Sequence, residues 1–210
     1  MSSSIVPPLD ALTRLREGNA RFVANVRSVD ALASLSRRID PAVHPSPFAI
    51  ILGCADSRAP AETIFDQGLG DLFVIRVAGN IVAPSQIGSV EFAAERFGTQ
   101  LVVVMGHSHC GAISATVDSM RPDQPPASRN LLSITDRIAP VVAPLMHTEL
   151  ARNRPALLRA ATRANVAASA SHLRHGSRLL EELILNRGLV VVGAEYDLET
   201  GVVDFFDGMN

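Results

Sequence analysis

Apolar residues recur along the chain in two different rhythms, and the changes of rhythm mark the elements. From Pro8, Leu9, Leu12 and Leu15 and then Phe22 and Val23 follow helical spacing, with Asp10 near the start and arginines further on, as a helix dipole favours. This predicts a helical arm whose apolar stripe docks either on its own subunit or on a partner. The rhythm then breaks in a proline-rich loop from Ile39 to Pro47. Phe48-Ala-Ile-Ile-Leu-Gly-Cys54 is a continuous apolar run, the signature of a central parallel strand covered on both faces. Pro60 to Phe65 reads as a short helix, Leu72-Phe-Val-Ile-Arg-Val77 as a second strand, and Ile87 to Phe97 as a helix stopped by Gly98. Leu101 to His107 is a third strand and Gly111 to Met120 a further helix, before a second proline-rich loop from Arg121 to Ser128.

Long helices are predicted over about Leu131 to Leu150 and Ala156 to Asn186, bent or divided by Pro140, Pro144 and Pro155. Leu189 to Gly193 is a fourth strand. Leu198-Glu-Thr-Gly201 turns the chain into a last strand, Val202 to Phe206, antiparallel at an edge. Strands alternating with helices imply right-handed crossovers. The expected fold class is therefore α/β: a mostly parallel central sheet of about four parallel strands plus an antiparallel edge strand, flanked by helices, with an N-terminal helical arm.

Composition narrows the partners. With 210 residues and 47% hydrophobic content, one substantial core is expected in a single domain, residues 1–45 forming arm and loop and 46–210 the core. A net charge of −2 with scattered charges excludes a clustered basic face for nucleic acid. All 19 basic residues are arginine, so Schiff-base, pyridoxal phosphate and P-loop lysine chemistry are excluded. Met1 to Pro8 shows no signal-peptide pattern and no run of about 18 apolar residues could cross a bilayer. The two cysteines form no C-x-x-C motif and no disulfide framework, which suits a reducing, cytoplasmic setting.

Those two cysteines carry the candidate chemistry. They stand in Cys54-Ala-Asp56-Ser-Arg58 and His107-Ser-His109-Cys110, each directly after a predicted buried strand. Buried free cysteines are commonly small apolar fillers. Here, however, both thiols and an imidazole fall at the carboxyl ends of strands, where open parallel sheets bind ligands. Adjacent strands lie about 4.8 Å apart, so Cys54 and His107 can meet at one ion, with Cys110 in the first turn of the next helix. Two thiolates and an imidazole are a donor set for one zinc ion per chain. Asp56 could complete four ligands; otherwise water fills an open position. Asp56 and Arg58 are close enough to pair in a tight turn, either as a plain salt bridge or as a gate that decides whether Asp56 reaches the metal. The side chain of His109 should point away from the ligands. His44 sits in a loop, and His147, His172 and His175 fall on helices, where surface or capping roles are the default.

These motifs resemble the beta-class carbonic anhydrases over the whole chain. The resemblance runs from Glu17-Gly-Asn-Ala-Arg-Phe22 through the Cys54 and Cys110 motifs, Phe65-Asp-Gln-Gly-Leu-Gly-Asp-Leu-Phe73, and Arg76-Val-Ala-Gly-Asn80 to Gly193-Ala-Glu-Tyr-Asp-Leu198. It implies zinc on Cys54, His107 and Cys110, with Asp56 and Arg58 as gating dyad and Asp56 as fourth ligand in a closed state. It implies reversible hydration of carbon dioxide to bicarbonate and a proton by zinc-bound hydroxide. The Gly111 amide would bind a substrate oxygen, and Phe73, Phe92 and Ala59 would line the pocket, the aromatics across the interface of a homodimer or dimer of dimers.

Three positions depart from many relatives: Pro45 replaces a glutamine, Ala59 a valine, and Ile51 the tryptophan of a subgroup with an inhibitory bicarbonate site. Arg76 matches that subgroup, but without the tryptophan the site is not expected. The alternative readings are a carbonyl sulfide or carbon disulfide hydrolase on the same scaffold, or a non-catalytic protein stapled by zinc.

Overall fold

The computed structural model describes residues 5–29, 46–121 and 128–208. Five strands form one sheet: β1 (Ala49–Gly53), β2 (Leu72–Arg76), β3 (Leu101–His107), β4 (Val190–Tyr196) and β5 (Val203–Asp207). Their order is β2-β1-β3-β4-β5, the first four parallel and β5 antiparallel to β4. The expected α/β class and its antiparallel edge strand are both present.

The helices are α1 (Pro8–Val23), α2 (Ala61–Ile64), α3 (Pro84–Phe97), α4 (Gly111–Ser119), α5 (Arg129–Val142), α6 (Arg154–His175) and α7 (Arg178–Arg187). Local chemistry sets their ends. Ser128, Asn153 and Ser177 each accept a hydrogen bond from an amide in the first turn of α5, α6 and α7. Pro8, Pro84 and Pro155 occupy first turns, where a missing N–H costs nothing.

Alternation along the strands divides the core between the two faces. Ile51, Val103 and Val192 point to the side covered by α1, where Ala11, Leu12, Leu15 and Phe65 pack. Ile50, Leu52, Val102, Val104 and Val191 point to the side covered by α3, α6 and α7. A third cluster joins Cys54 and Cys110 to Ile113, Ile138, Val142, Leu157 and Ala161 beyond the strand ends. The arm docks on its own sheet through Leu12 and Leu15, while Leu9 remains 77% exposed.

Several boundaries differ from the sequence reading. The predicted Ala156 to Asn186 helix is two helices, divided at Gly176 and Ser177, because Ser177 caps a new start. Pro140 does not divide α5. It lies in the last turn, so the bond it lacks leaves only the carbonyl of exposed Asp136 to solvent. Beyond Val142 the chain continues as 3-10 turns, Ala143–His147 and Glu149–Arg152, rather than as helix to Leu150. Strand β4 runs three residues past Gly193, because Ala194, Glu195 and Tyr196 pair with β5 as well as β3. Pro45, His44, most of the first proline-rich loop and residues 122–127 lie outside the described residues.

Candidate metal centre

The sheet register decides what meets at the strand ends. Gly53 pairs with Met105, so Cys54, next along β1, and His107, two further along β3, emerge side by side. After His107 the chain reverses through Ser108 and His109, the latter at φ 57°, and enters α4 with Cys110 as its cap residue. The reversal is stitched to β4: the Ser108 amide donates to the Tyr196 carbonyl at 2.9 Å, and the Leu198 amide to Ser108 Oγ at 2.9 Å. The ligand atoms of Cys54, His107 and Cys110 lie within 4.8 Å of one another, all buried, with the two sulfurs 4.0 Å apart. Among the described residues this is the one group of three or more such side chains that could hold a metal ion.

The donors fit zinc in detail. His107 Nδ1 lies 2.9 Å from the Ser108 carbonyl, a contact in which the ring donates. Metal-bound histidines characteristically spend their second nitrogen this way. The remaining Nε2 is buried without a hydrogen-bond partner, an orphan that a cation would satisfy. The Gly79 amide donates to Cys54 Sγ at 3.3 Å. Without metal, the Cys110 thiol proton, with help from His107 and backbone amides, pulls the Cys54 pKa down against burial. The same shared proton, together with burial, pushes Cys110 up. A divalent ion held here would take the place of that proton and favour both thiols in their ionised form.

Asp56 and Arg58 form the expected pair. Asp56 Oδ1 accepts from the Arg58 amide and Nε, both at 2.9 Å, and Oδ2 accepts from Nη2 at 2.7 Å. This bidentate grip holds the Asp56 carboxyl well below the usual carboxylate range, outweighing partial burial. Oδ2 nevertheless stays 3.9 Å from His107 Nε2, at the edge of the cluster. Arg58 Nη2 also donates to the His109 carbonyl at 3.3 Å, tying the two motifs together.

Three further contributors act on or through backbone atoms, so the sequence does not show their roles. Arg76 donates from Nε to the Cys54 carbonyl at 3.0 Å and from Nη2 to the Asp56 carbonyl, clamping the loop between them. Gly79 offers its amide, and Asn165 donates to the Gly79 carbonyl. Arg76 and Gly79 stood in the Arg76-Val-Ala-Gly-Asn80 motif without a role attached, and nothing pointed to Asn165.

The remaining predicted residues are distributed as follows. Gly111 opens α4, where amides lack helical partners, and a Cβ built on it meets nothing within 4 Å. Ala59 is buried in the arm-side cluster rather than in the cluster of the sulfurs. Phe73, on edge strand β2, stacks with Phe92 and Phe97 of α3. It pairs with Ile50, four residues before Cys54 and so about 13 Å back along the strand direction. His109 points away from the sulfurs, with Nε2 3.4 Å from Glu199. His147, His172 and His175 lie in the last turns of their elements. A cleft of about 740 Å³ lies beyond His109, between Arg159, Thr162 and Asp204, and includes none of the three ligands.

The sequence matches the carbonic anhydrase family model over residues 49–203. It is 36% identical over 196 residues to carbonic anhydrase 2 of Mycobacterium tuberculosis, covering 92% of this chain and 90% of the relative. It is 36% identical over 176 residues to a carbonic anhydrase of Pseudomonas aeruginosa, covering 80% and 76%. Among solved structures, a tetrameric beta-carbonic anhydrase of Sordaria macrospora superimposes with a TM-score of 0.69 at 25% identity, covering 84% of this chain and 91% of that one. Sequence, fold and a buried Cys-His-Cys cluster at the ends of β1 and β3 thus converge, and the chain belongs to the beta class of the carbonic anhydrase family.

Proposed function

We propose that this protein interconverts carbon dioxide and bicarbonate, releasing or taking up one proton. The observation that carries the reading is the grip of Arg58 on Asp56, which leaves three protein donors at the cluster, the pattern of an open catalytic site. Cys54, His107 and Cys110 would hold zinc, which would supply the Lewis acidity that ionises water near neutral pH.

The chain's own residues do the rest. The Asp56 carboxylate, kept ionised by Arg58, accepts a hydrogen bond from the attacking oxygen and so aims its lone pair. The Gly111 amide, free at the start of α4, binds the substrate oxygen on which charge develops. Arg76 holds the Cys54 to Asp56 loop in register with the ligands. Released from Arg58, Asp56 can turn to the metal as a fourth ligand and close the site. Arg58 stays charged at every relevant pH, so it always competes for Asp56.

The assembly is a homodimer or dimer of dimers in which Phe73 and Phe92 line the pocket of the neighbouring subunit; the half-exposed aromatic cluster at the sheet edge supports this. Two free thiols at ligand positions suit the reducing cytoplasm. No helix among the described residues is long and apolar enough to cross a membrane.

The test is stopped-flow hydration of carbon dioxide by zinc-quantified protein from about pH 6.5 to 9. Activity should rise with pH, and Asp56→Ala should lose most of it. One zinc per chain with no activity at any pH would overturn the reading, and sulfide release from carbonyl sulfide by the same sample would redirect it to a hydrolase.

A further inference from the structure

One buried polar side chain far from the metal motifs reaches the site through a single turn. Asn165, in the middle of α6 and 2% exposed, donates from Nδ2 to the Gly79 carbonyl at 2.8 Å, across 86 residues of sequence. Gly79 stands in a left-handed conformation, φ 69° and ψ 18°, in the short 3-10 turn Ala78–Asn80 that follows β2. Its amide is the one that donates to Cys54 Sγ at 3.3 Å. The turn has no slack on its other side. A Cβ on Gly79 would lie 2.8 Å from Ile138 Cδ1 and 3.0 Å from Ala112 Cβ, so α5 and α4 pack against the turn as closely as a glycine allows, while its carbonyl faces α6. The Asn165 amide receives it there.

We infer that Asn165 is a positioning residue for the metal, fixing the Gly79 turn so that its amide stays aimed at the Cys54 thiolate. The inference rests on the zinc reading of the cluster. A hydrogen bond to a ligating thiolate withdraws electron density from the sulfur and orients its lone pairs, and partners at this remove typically tune metal affinity. Asn165 costs the fold little by comparison with an unpaired amide, because its donor is satisfied only while the turn is in place.

The test uses cobalt(II) in place of zinc in the full chain, read by the thiolate-to-cobalt charge-transfer band and by competition with a chelator. Wild type should show the band; its absence overturns the zinc reading itself, independently of Asn165. In Asn165→Leu, similar in volume but without the donor, the band should move to longer wavelength as the sulfur regains electron density. Metal affinity should fall by about tenfold. Thr162→Val, one turn earlier on α6, removes a buried hydroxyl that bonds only its own helix at Leu158, and should change neither readout. Asn165→Ser, whose hydroxyl ends one bond short of Gly79, serves the same test if Asn165→Leu does not fold. A folded Asn165 variant with wild-type band and affinity overturns the inference, as does Thr162→Val moving both readouts equally far.

Discussion

Gly18→Ala separates what helix propensity alone expects from what the packing dictates. On an isolated helix the change stabilises by about 1 kcal/mol. In this fold a Cβ at position 18 would lie 1.8 Å from the Phe65 carbonyl oxygen and 2.7 Å from its carbon, both backbone atoms. Ordinary contact demands that α1 retreat by about 1.5 Å. The next residue then loses its place. Asn19 donates to the carbonyls of Ile64 and Gly201 at 3.3 and 2.9 Å, and its Oδ1 accepts from the Val203 amide at 2.9 Å. Buried partners left unpaired cost about 1–3 kcal/mol each, so even partial loss of the three outweighs the propensity gain and leaves a net destabilisation of about 3–5 kcal/mol. For a chain of this size that lowers the melting temperature by on the order of 10 °C. Thermal unfolding of zinc-loaded protein gives the shift, and limited proteolysis shows whether cleavage moves to the arm. Metal content should stay at one per chain, because no ligand touches Gly18. A melting temperature equal to or above wild type would refute the close approach.

Cys110→Ala should drop the bound zinc toward zero after dialysis, read by elemental analysis; a full complement would remove Cys110 from the ligand set. Phe92 is 53% exposed in one chain, so Phe92→Glu should split the oligomer and lower turnover together, and an unchanged mass by light scattering would place the interface elsewhere. Acid should loosen the arm. Burial works to raise the Asp66 pKa, but Arg21 and the Ser28 amide outweigh it and hold it below its ordinary value of 3.8. The unfolded chain therefore takes up this proton first, and the contribution is complete above about pH 4 and lost as pH falls through the folded value. The protection of α1 amides, taken as exchange relative to the intrinsic rate at each pH, should fall over that window in wild type, whereas in Asp66→Asn it should be low already at neutral pH.

The strands and the ligand set were legible because both depend on side-chain type. The apolar run Leu101 to His107 is β3 to the residue, and a central strand must be apolar on both faces. The cysteines and His107 could be paired in advance because strand ends in a parallel sheet converge. The division at Gly176 was overlooked, since the apolar rhythm continues on both sides and only the Gly176 stop and the Ser177 cap distinguish two helices from one. Asn165, and the roles of Arg76 and Gly79 within their motif, were hidden for a related reason: each acts on or through a backbone atom, and a carbonyl or amide leaves no mark on the identity of its partner. Glu195, 9% exposed and held by Arg163 at 3.3 Å, likewise shows how far β4 extends only once β5 is beside it.

Asn19 also imposes an order on synthesis. Two of its three partners, Gly201 and Val203, lie 182 and 184 residues downstream, so α1 cannot be locked until nearly the whole chain has left the ribosome. The three metal ligands, by contrast, are all made by residue 110, Cys54 and His107 at the ends of strands that pair directly and Cys110 at the start of the next helix. The ligands can therefore be brought together while the arm still waits for its dock, and closure of that long loop is expected late in folding.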